Sequence, residues 1–369
     1  MQSKMSKSKD CGDWQWQWRH RLAGLTAIGD FLALSEEDLA RRRAAAERYP
    51  PLATPYYLSL ANPTDTADPI LRQVLPDPAE IEARWTADPD PLAEQADSPV
   101  PGVVRRYPDR ALLLLTARCA VHCRHCLRKR NWGRRIEWNH GAADQAFDYL
   151  EKNREIREVI LSGGDPLLLE QEKLQNLLER LGRIEHVAVV RIGSRLPTVM
   201  PQRFTEDFCE MLGARPGRWL ATHFNHPREL TDESGLACRR LLRAGVGIIN
   251  QTVLLKGVND NAEIIRELGL GLLRIGVKPY YLFHGDPVAG TRHFRTGVRR
   301  GLQIISELRG RVSGLAIPTF AIDLPGGGGK VALTPETPVV IPGQPGGDED
   351  FLFSRLDGEV CSYGDDGSG

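Results

Sequence analysis

The run Arg118-Cys-Ala-Val-His-Cys-Arg-His-Cys-Leu-Arg-Lys-Arg130 decides the fold. It places Cys119, Cys123 and Cys126 in the spacing C-x3-C-x2-C, with no fourth cysteine nearby. Closed zinc sites and closed iron–sulfur sites take four protein ligands. Three thiolates on one loop would therefore leave one iron of a [4Fe–4S] cluster open to a small molecule. A zinc site completed by His122 or His125, or three unrelated thiols, is the alternative interpretation.

Composition excludes several classes of protein. The chain has 369 residues, with 48 Lys plus Arg and 48 Asp plus Glu, so no overall charge favours nucleic acid. Its seven cysteines are an odd number, and its first residues are polar rather than an apolar signal segment. The longest aliphatic stretch, residues 111–115, is too short to span a bilayer. These features predict a reduced, cytoplasmic protein that binds neither nucleic acid nor membrane.

From residue 103 onward, apolar segments alternate with amphipathic ones, which indicates parallel strands joined by crossover helices. The predicted strands are 111–116, 158–162, 187–193, 219–224, 246–253 and 279–284. The predicted helices are 142–153, 170–183, 205–212, 227–244 and 261–275, followed by a helix at 297–309 and a strand at 314–321. Six repeats fit an α/β fold, a partial (β/α)6 TIM-like barrel. Ligands bind such barrels at the C-terminal ends of the strands, where the cysteine loop would lie.

Three segments follow from the change in composition along the chain. Residues 1–102 are predicted to be a helical and irregular N-terminal extension, with helices at 21–28, from Ser35 to about Glu47, and at 55–61. Residues 103–313 form the predicted barrel. Residues 314–369 form a C-terminal segment whose Pro-, Gly- and Asp-rich tail is expected to be disordered at its end.

A second informative run is Asp323-Leu-Pro-Gly-Gly-Gly-Gly-Lys330. Four glycines let the backbone approach a ligand closely. The phosphate-binding loop pattern G-x4-G-K-[ST] is not met, because Val331 follows Lys330. Two uses remain open for Lys330: a Schiff base to pyridoxal 5′-phosphate (PLP), or a solvated lysine on a flexible turn.

Together these motifs resemble the lysine 2,3-aminomutase family, the PLP-dependent branch of the radical S-adenosylmethionine (SAM) enzymes. The resemblance runs from about residue 13 to residue 340. It also rests on Thr54-Pro-Tyr-Tyr-Leu-Ser-Leu60, Asp97-Ser-Pro-Val-Pro-Gly102, Arg106-Tyr-Pro-Asp-Arg110, Leu161-Ser-Gly-Gly-Asp165, Arg191-Ile-Gly-Ser-Arg195 and Thr222-His-Phe-Asn-His-Pro227. It implies a radical SAM barrel with an N-terminal extension and a short C-terminal segment that carries the PLP lysine.

The resemblance also assigns cofactor roles to residues. Cys119, Cys123 and Cys126 would hold the [4Fe–4S] cluster, and Lys330 would carry PLP as an internal aldimine. The PLP phosphate would contact Arg106, Tyr107 and Arg110. The SAM cofactor would contact Ser162, Gly163, Gly164, His223 and Gln251. Each of these residues has a structural alternative as a surface charge, a core aromatic or a turn former.

Three further residues would bind the substrate. Arg128 matches the arginine that grips the α-carboxylate, and Asp286 and Asp323 match the pair that binds the lysine ε-ammonium. A cationic side chain entering a dry pocket needs anionic partners. The alternative for either aspartate is a helix cap or a turn former.

The implied activity is transfer of the 2-amino group of L-lysine to C3, giving β-lysine through a PLP external aldimine and a 5′-deoxyadenosyl radical. The alternatives are an aminomutase acting on a lysine of elongation factor P, on free glutamate or on arginine, and a zinc-binding scaffold protein. Expected partners are the amino acid, an electron donor such as flavodoxin or ferredoxin, and further copies of the chain. The family's structural zinc is not expected, because Asn261 replaces a ligand cysteine and the tail has only Cys361.

Overall fold

The computed structural model describes residues 12–65, 67–82, 88–134, 138–335, 339–341, 349–354 and 359–365. The strands are β1 (Leu22–Ala23), β2 (Leu52–Ala53), β3 (Val103–Tyr107), β4 (Arg110–Thr116), β5 (Glu158–Gly163), β6 (Val189–Gly193), β7 (Arg218–Thr222), β8 (Gly247–Leu254), β9 (Lys278–His284), β10 (Thr319–Leu324), β11 (Gly329–Leu333), β12 (Val339–Ile341), β13 (Glu349–Ser354) and β14 (Val360–Asp365). The helices are α1 (Trp14–Arg19), α2 (Leu25–Leu32), α3 (Glu36–Arg48), α4 (Pro55–Ser59), α5 (Pro69–Val74), α6 (His140–Lys152), α7 (Gln171–Leu181), α8 (Leu196–Val199), α9 (Glu206–Gly213), α10 (Asp232–Arg243), α11 (Ala262–Arg274) and α12 (Val298–Leu308).

One nine-stranded sheet organises the chain, with β3 to β11 hydrogen-bonded in sequence order. Neighbouring strands from β4 to β10 run parallel. An antiparallel strand is added at each end, β3 beside β4 and β11 beside β10. Because these strands are parallel, their C-terminal ends lie at the same end of the sheet. The predicted site residues follow the strands at that end.

Alternating burial explains why these segments form strands and helices. Along β8, half-buried and buried residues alternate without interruption, as in a strand with two different faces. Helix α7 buries Leu174, Leu177, Leu178 and Leu181, the i, i+3, i+4, i+7 spacing of an amphipathic helix. These residues belong to one large apolar core that reaches from α2 to α11.

The N-terminal extension packs on the end of the sheet that carries the cysteine loop. The Leu52 carbonyl accepts a hydrogen bond from the His122 amide (2.8 Å), and the Gln73 carbonyl accepts one from the Arg124 amide (2.9 Å). Thr54 Oγ1 donates to the carbonyl of Val199 at 2.6 Å. Val199 is in α8, the short helix that follows β6. The extension therefore covers the loop and fixes its backbone.

The predicted α/β barrel fold is confirmed, since each of the six predicted strands appears as one of β4 to β9. The end strands β3 and β11 were not predicted. The predicted helix 227–244 is divided, because Pro227–Glu229 forms a 3-10 turn and the Thr231 side chain caps α10 by accepting from the Ser234 amide. The predicted strand 314–321 begins later, at Thr319, after a 3-10 turn.

At the two termini the structure also differs from the sequence prediction. The expected helix 21–28 is replaced by β1 and α2, because Gly24 adopts a positive φ of 86° between them. In the tail, β12, β13 and β14 form an antiparallel sheet that was not predicted. The last residues, 366–369, lie outside the described residues. In the described part of the chain, no helix has the length and apolar character needed to cross a membrane.

Candidate active site

A cavity of about 580 Å³ opens at the C-terminal ends of the parallel strands. Every candidate residue from the sequence lines it: Cys119, Cys123, Cys126, Arg128, Arg106, Tyr107, Arg110, Ser162, Gly163, Gly164, His223, Gln251, Asp286, Asp323 and Lys330. These side chains come from the loops and strand ends between β3 and β11. The fold therefore unites the cysteine run and the glycine–lysine run in one site.

The cysteine loop follows β4 directly, and the zinc interpretation does not fit it. His122 Nδ1 lies 2.8 Å from the Pro50 carbonyl oxygen, and its ring stacks on Trp132. His125 Nε2 lies 3.3 Å from the Asn225 side-chain nitrogen. Among the described residues, no three His, Cys, Asp or Glu side chains converge as ligands of a single metal ion. Three thiolates of a cluster need not converge in this way, because they bind different irons.

Basic residues beside the cysteines hold the loop in place. The Arg124 side chain is fully buried and forms an ion pair with Glu80. Lys129 Nζ donates to the same Glu80 carboxylate at 2.7 Å and to the Gly290 carbonyl at 2.9 Å. These two cations therefore serve the packing of the loop on the N-terminal extension.

Arg195 contacts a predicted cluster ligand, although it was not singled out as a site residue. Its Nη1 donates to Cys123 Sγ at 2.8 Å. Its Nη2 donates to Glu229 (2.8 Å), Gln73 (2.6 Å) and Tyr57 (3.0 Å). The string Arg191-Ile-Gly-Ser-Arg195 had drawn attention to this region, but its spacing does not reveal a contact with Cys123.

The glycines of Leu161-Ser-Gly-Gly-Asp165 are required by the packing of the cysteine loop. A Cβ on Gly163 would lie 2.3 Å from the Thr116 carbonyl oxygen, and one on Gly164 would lie 2.3 Å from that of Arg118. Asp165, buried next to them, accepts from the Ser194 hydroxyl (2.8 Å) and the Arg195 amide (3.0 Å). The turn thus aligns the start of the loop with Arg195. A contact with SAM stays a prediction for both glycines.

Arg128 presents a fork that binds a carboxylate. Its Nη2 donates to Glu94 Oε1 at 2.6 Å and its Nε to Glu94 Oε2 at 3.1 Å, while its Nη1 donates to Ser162 Oγ at 3.1 Å. Glu94 also accepts from Arg130 Nη2 at 2.7 Å. The Glu94 carboxylate shows the planar geometry that a substrate carboxylate would use. Glu94 itself was missed, since a lone glutamate in a Pro-rich segment carries no sequence signal.

Lys330 lies at the other side of the cavity. The antiparallel pairing of β10 with β11 sets it opposite Asp323, and its Nζ donates to both Asp323 oxygens at 2.7 and 2.8 Å. The Phe283 ring lies 3.9 Å from Nζ. Burial, followed by the charge of Asp323, raises the pKa of Asp286 to about 7. Two carboxylates and one ammonium thus share this end of the cavity.

The predicted phosphate contacts lie beside Lys330. Tyr107 Oη accepts the Lys330 amide at 2.8 Å, and the Arg110 guanidinium lies 4.3 Å from the centre of the Tyr107 ring. Arg110 Nε lies 3.4 Å from an Asp109 carboxylate oxygen, and Arg110 Nη1 lies 3.9 Å from one of Glu158, so its contact with a phosphate stays a prediction. Arg106 is engaged by Asp97 at 2.9 Å, and its contact with a phosphate stays a prediction.

His223 and Gln251 lie at the C-terminal side of β7 and within β8, between the two halves of the cavity. Burial lowers the pKa of His223 to about 4. The imidazole is therefore neutral near pH 7 and can accept a hydrogen bond from a cofactor. Its role, and that of Gln251, stays a prediction.

Comparisons with known proteins agree with this geometry. Residues 305–344 match the family model "Lysine-2,3-aminomutase", and residues 104–203 match "4Fe-4S single cluster domain". A relative from Aquifex aeolicus is 46% identical over 95% of this chain and 94% of its own. The L-lysine 2,3-aminomutase of Clostridium subterminale is 44% identical over 88% of this chain and 79% of its own. The chain belongs to the lysine 2,3-aminomutase family.

One further relative has a different activity in its name, and one solved structure is more distantly similar. The glutamate 2,3-aminomutase of Clostridioides difficile is 41% identical over 89% of this chain and 78% of its own. A solved radical SAM methyltransferase from Sphaerobacter thermophilus matches with a TM-score of 0.43 and 20% identity, over 60% of this chain and 68% of that one.

The residues of this lysine 2,3-aminomutase family member fit the three cofactors of a PLP-dependent radical SAM enzyme. Cys119, Cys123 and Cys126 line the cavity, and among the described residues they join no ligand set for a single metal ion. Lys330, with Tyr107 and Arg110 beside it, would hold PLP. SAM would lie in the same cavity.

Replacing Gly164 with Ala tests the packing of the turn against the loop. The new methyl group would collide with the Arg118 carbonyl, so the free energy of unfolding should fall by about 1–3 kcal/mol, and the iron bound per chain should fall with it. Urea unfolding and iron analysis measure the two effects. Gly297→Ala is the control, because no atom lies within 4 Å of its added Cβ. Equal behaviour of the two variants would contradict the packing argument.

Arg195→Gln tests the contact with Cys123. Because a guanidinium beside a cluster ligand stabilises the more negative, reduced cluster, its loss should lower the reduction potential. The measurement is a redox titration followed by electron paramagnetic resonance.

This variant also leaves Glu229 buried without its cation, which should cost about 3–5 kcal/mol of stability. The double variant Arg195→Gln, Glu229→Gln should regain part of that stability and keep the lowered potential. A potential unchanged in both variants would show that the charge of Arg195 does not act on the cluster.

Proposed function

We propose that this chain is an L-lysine 2,3-aminomutase that moves the 2-amino group of free L-lysine to C3, giving β-lysine. The arrangement of Asp286 and Asp323 carries the proposal. Both carboxylates line the same cavity as the cysteines, and Asp323 already binds a primary ammonium, that of Lys330. A lysine side chain ends in the same chemical group.

The two ends of the substrate would be held by opposite charges. Arg128, which has the geometry for a bidentate carboxylate contact, would bind the α-carboxylate. Asp286 and Asp323 would bind the ε-ammonium. Fixing both ends holds C2 and C3 at one place in the cavity, which favours reaction at those atoms.

When bound, the cluster and SAM supply the radical that abstracts hydrogen, and PLP supplies the π-system that carries the migrating nitrogen. The chain itself contributes the ligands Cys119, Cys123 and Cys126 and the PLP lysine, Lys330. The N-terminal extension, packed on the loop, helps to exclude water.

The charges also argue against the other substrates. A glutamate side chain would bring a third carboxylate to Asp286 and Asp323, where like charges repel. A lysine within a protein chain has no free α-carboxylate for Arg128. Arginine is compatible with the charges, and the assay below separates it from lysine.

The decisive experiment is an anaerobic assay with SAM, PLP and a chemical reductant, offering lysine, glutamate and arginine separately. We expect β-lysine from lysine. Asp323→Asn should lower kcat/KM for lysine by on the order of 30-fold or more, as for loss of one partner of a buried charge pair. Asp144→Asn, an exposed site, is the control. Product from glutamate in preference to lysine would refute the proposal.

Binding of lysine should depend on pH through Asp286. In the folded enzyme its pKa is raised to about 7 by burial and the Asp323 charge, so the carboxyl is neutral below that pH and cannot pair with an ammonium. The KM for lysine should therefore fall as pH rises from 6 to 8. In Asp286→Asn this pH dependence should flatten, with a higher KM throughout. An unchanged pH profile in the variant would rule out this role.

The remaining expectations depend on family resemblance. We propose that an external one-electron donor such as flavodoxin or ferredoxin reduces the enzyme, that the chain forms a homo-oligomer, and that it works in the cytoplasm. The reductant is required because the proposed reaction begins with an electron that the amino acid does not supply.

A further inference from the structure

The cysteine loop has an outer surface that the proposed reaction leaves unexplained. Cys119 lines the cavity together with Cys123 and Cys126, whereas its neighbour Arg118 does not. The Arg118 side chain is exposed. The backbone carbonyl of Cys119 accepts a hydrogen bond from Arg21 Nη1 at 3.0 Å. One predicted cluster ligand therefore connects the cavity with the protein surface.

Two arginines flank one tryptophan on that surface. The Arg21 guanidinium lies 3.2 Å from the centre of the Trp18 ring, and the Arg118 guanidinium lies 4.7 Å from it. Arg21 Nε also donates to the Trp18 carbonyl at 2.8 Å. We call Trp18, Arg21 and Arg118 the outer basic patch. Its geometry is preorganised, because Arg21 is fixed by two hydrogen bonds and by stacking.

The charge of the outer basic patch is only partly offset within the described part of the chain, since Glu170 interacts with Arg118 without forming an ion pair. Neither Arg21 nor Arg118 forms an ion pair with a described carboxylate, whereas many other arginines do. A guanidinium stays charged at pH 7 in a protein. Two adjacent cations that form no ion pair with a described carboxylate favour an anionic partner. The chain carries no net charge overall, so the positive charge of the outer basic patch is confined to this part of the surface.

We infer that the outer basic patch is the docking surface for an acidic electron-carrier protein, which reduces the cluster through Cys119. The inference rests on the proposed function, because only that reaction requires the electron. In this step the reduced carrier loses one electron and the oxidised cluster gains it. No bond is made or broken, and no proton is transferred.

The position of the patch explains why a protein would dock there. A cavity of about 580 Å³ that must hold the substrate and SAM cannot admit a second protein. The electron must therefore cross the wall of the cavity. At Cys119 the carbonyl of a predicted cluster ligand is bonded directly to Arg21, and the preceding residue, Arg118, is exposed.

The test compares a protein reductant with a chemical one, using the enzyme reconstituted with its cluster. Arg118→Glu reverses the exposed charge of the patch. With reduced flavodoxin as the probe, we expect its dissociation constant to rise by about 10-fold, and reduction of the cluster, followed by absorbance in a stopped-flow instrument, to slow by a similar factor. With dithionite, cluster reduction and lysine turnover should stay within about twofold of wild type. The same binding and reduction measurements are repeated with reduced ferredoxin in place of flavodoxin.

Arg183→Glu is the matched control, because Arg183 is exposed and follows α7 at the opposite end of the sheet. The Arg183→Glu variant should bind flavodoxin with the affinity of wild type, and flavodoxin should reduce its cluster at the wild-type rate. Binding to wild type should weaken with added salt, and less so in Arg118→Glu. A milder variant, Arg118→Gln, should show a smaller effect in the same direction.

Three results would overturn the inference: carrier binding and cluster reduction unchanged in both Arg118 variants, an equal loss in Arg183→Glu, or an equal loss with dithionite. Failure of the proposed function would look different. In that case wild type would not convert lysine with any reductant, while the effect of Arg118→Glu on carrier binding would still decide the docking surface.

Discussion

The buried guanidinium of Arg195 is the interaction on which the rest of the site depends. A buried cation is tolerated only when its charge and donors are matched, and four partners meet that requirement. Cys123 belongs to the cysteine loop, Glu229 follows β7, and Tyr57 and Gln73 belong to the N-terminal extension. One side chain therefore couples the extension, the barrel and the loop. The position of the loop is fixed by this network as much as by the strand that leads into it.

The second constraint is the approach of the two end strands of the sheet. Tyr107, at the end of β3, accepts the amide of Lys330 on β11, so the first and last strands of the sheet meet at the cavity. This contact joins Lys330, on the last strand of the sheet, to the first strand, which pairs with the strand that leads into the cysteine loop. Arg128 donates to Ser162 Oγ and lines the same cavity as Lys330. The proposed reaction needs the cysteine loop and Lys330 in one cavity, because a radical formed near the cysteines would have to reach an amino acid held near Lys330.

Much of the site could be predicted from the sequence, because short motifs carry their chemistry locally. The cysteine spacing, the glycine run before Lys330 and the strings around Arg106 and Asp165 each indicate a loop of known use, and all of them line one cavity. Glu94 and Arg195 could not be predicted as members of the site. Their partners are distant in sequence, Glu94 being 34 residues from Arg128 and Arg195 being 72 from Cys123, and no local pattern specifies such a pair. The strands β3 and β11 were missed because short antiparallel end strands lack the helix that reveals a crossover.

By itself, the sequence determined the parallel α/β barrel, the three-cysteine loop and the glycine run before Lys330, because periodicity and loop motifs are local properties of the chain. The roles of Lys330, Asp286 and Asp323 toward PLP and an ammonium group came from the family resemblance and stay predictions. Only the tertiary structure decided which charges are paired. Arg124 and Lys129, which look like a solvated basic run, share an ion pair with the buried Glu80, whereas Arg21 and Arg118 form no ion pair with a described carboxylate. The physical reason is that burial and counter-charge depend on residues brought together from distant parts of the chain, and these determine what each arginine does.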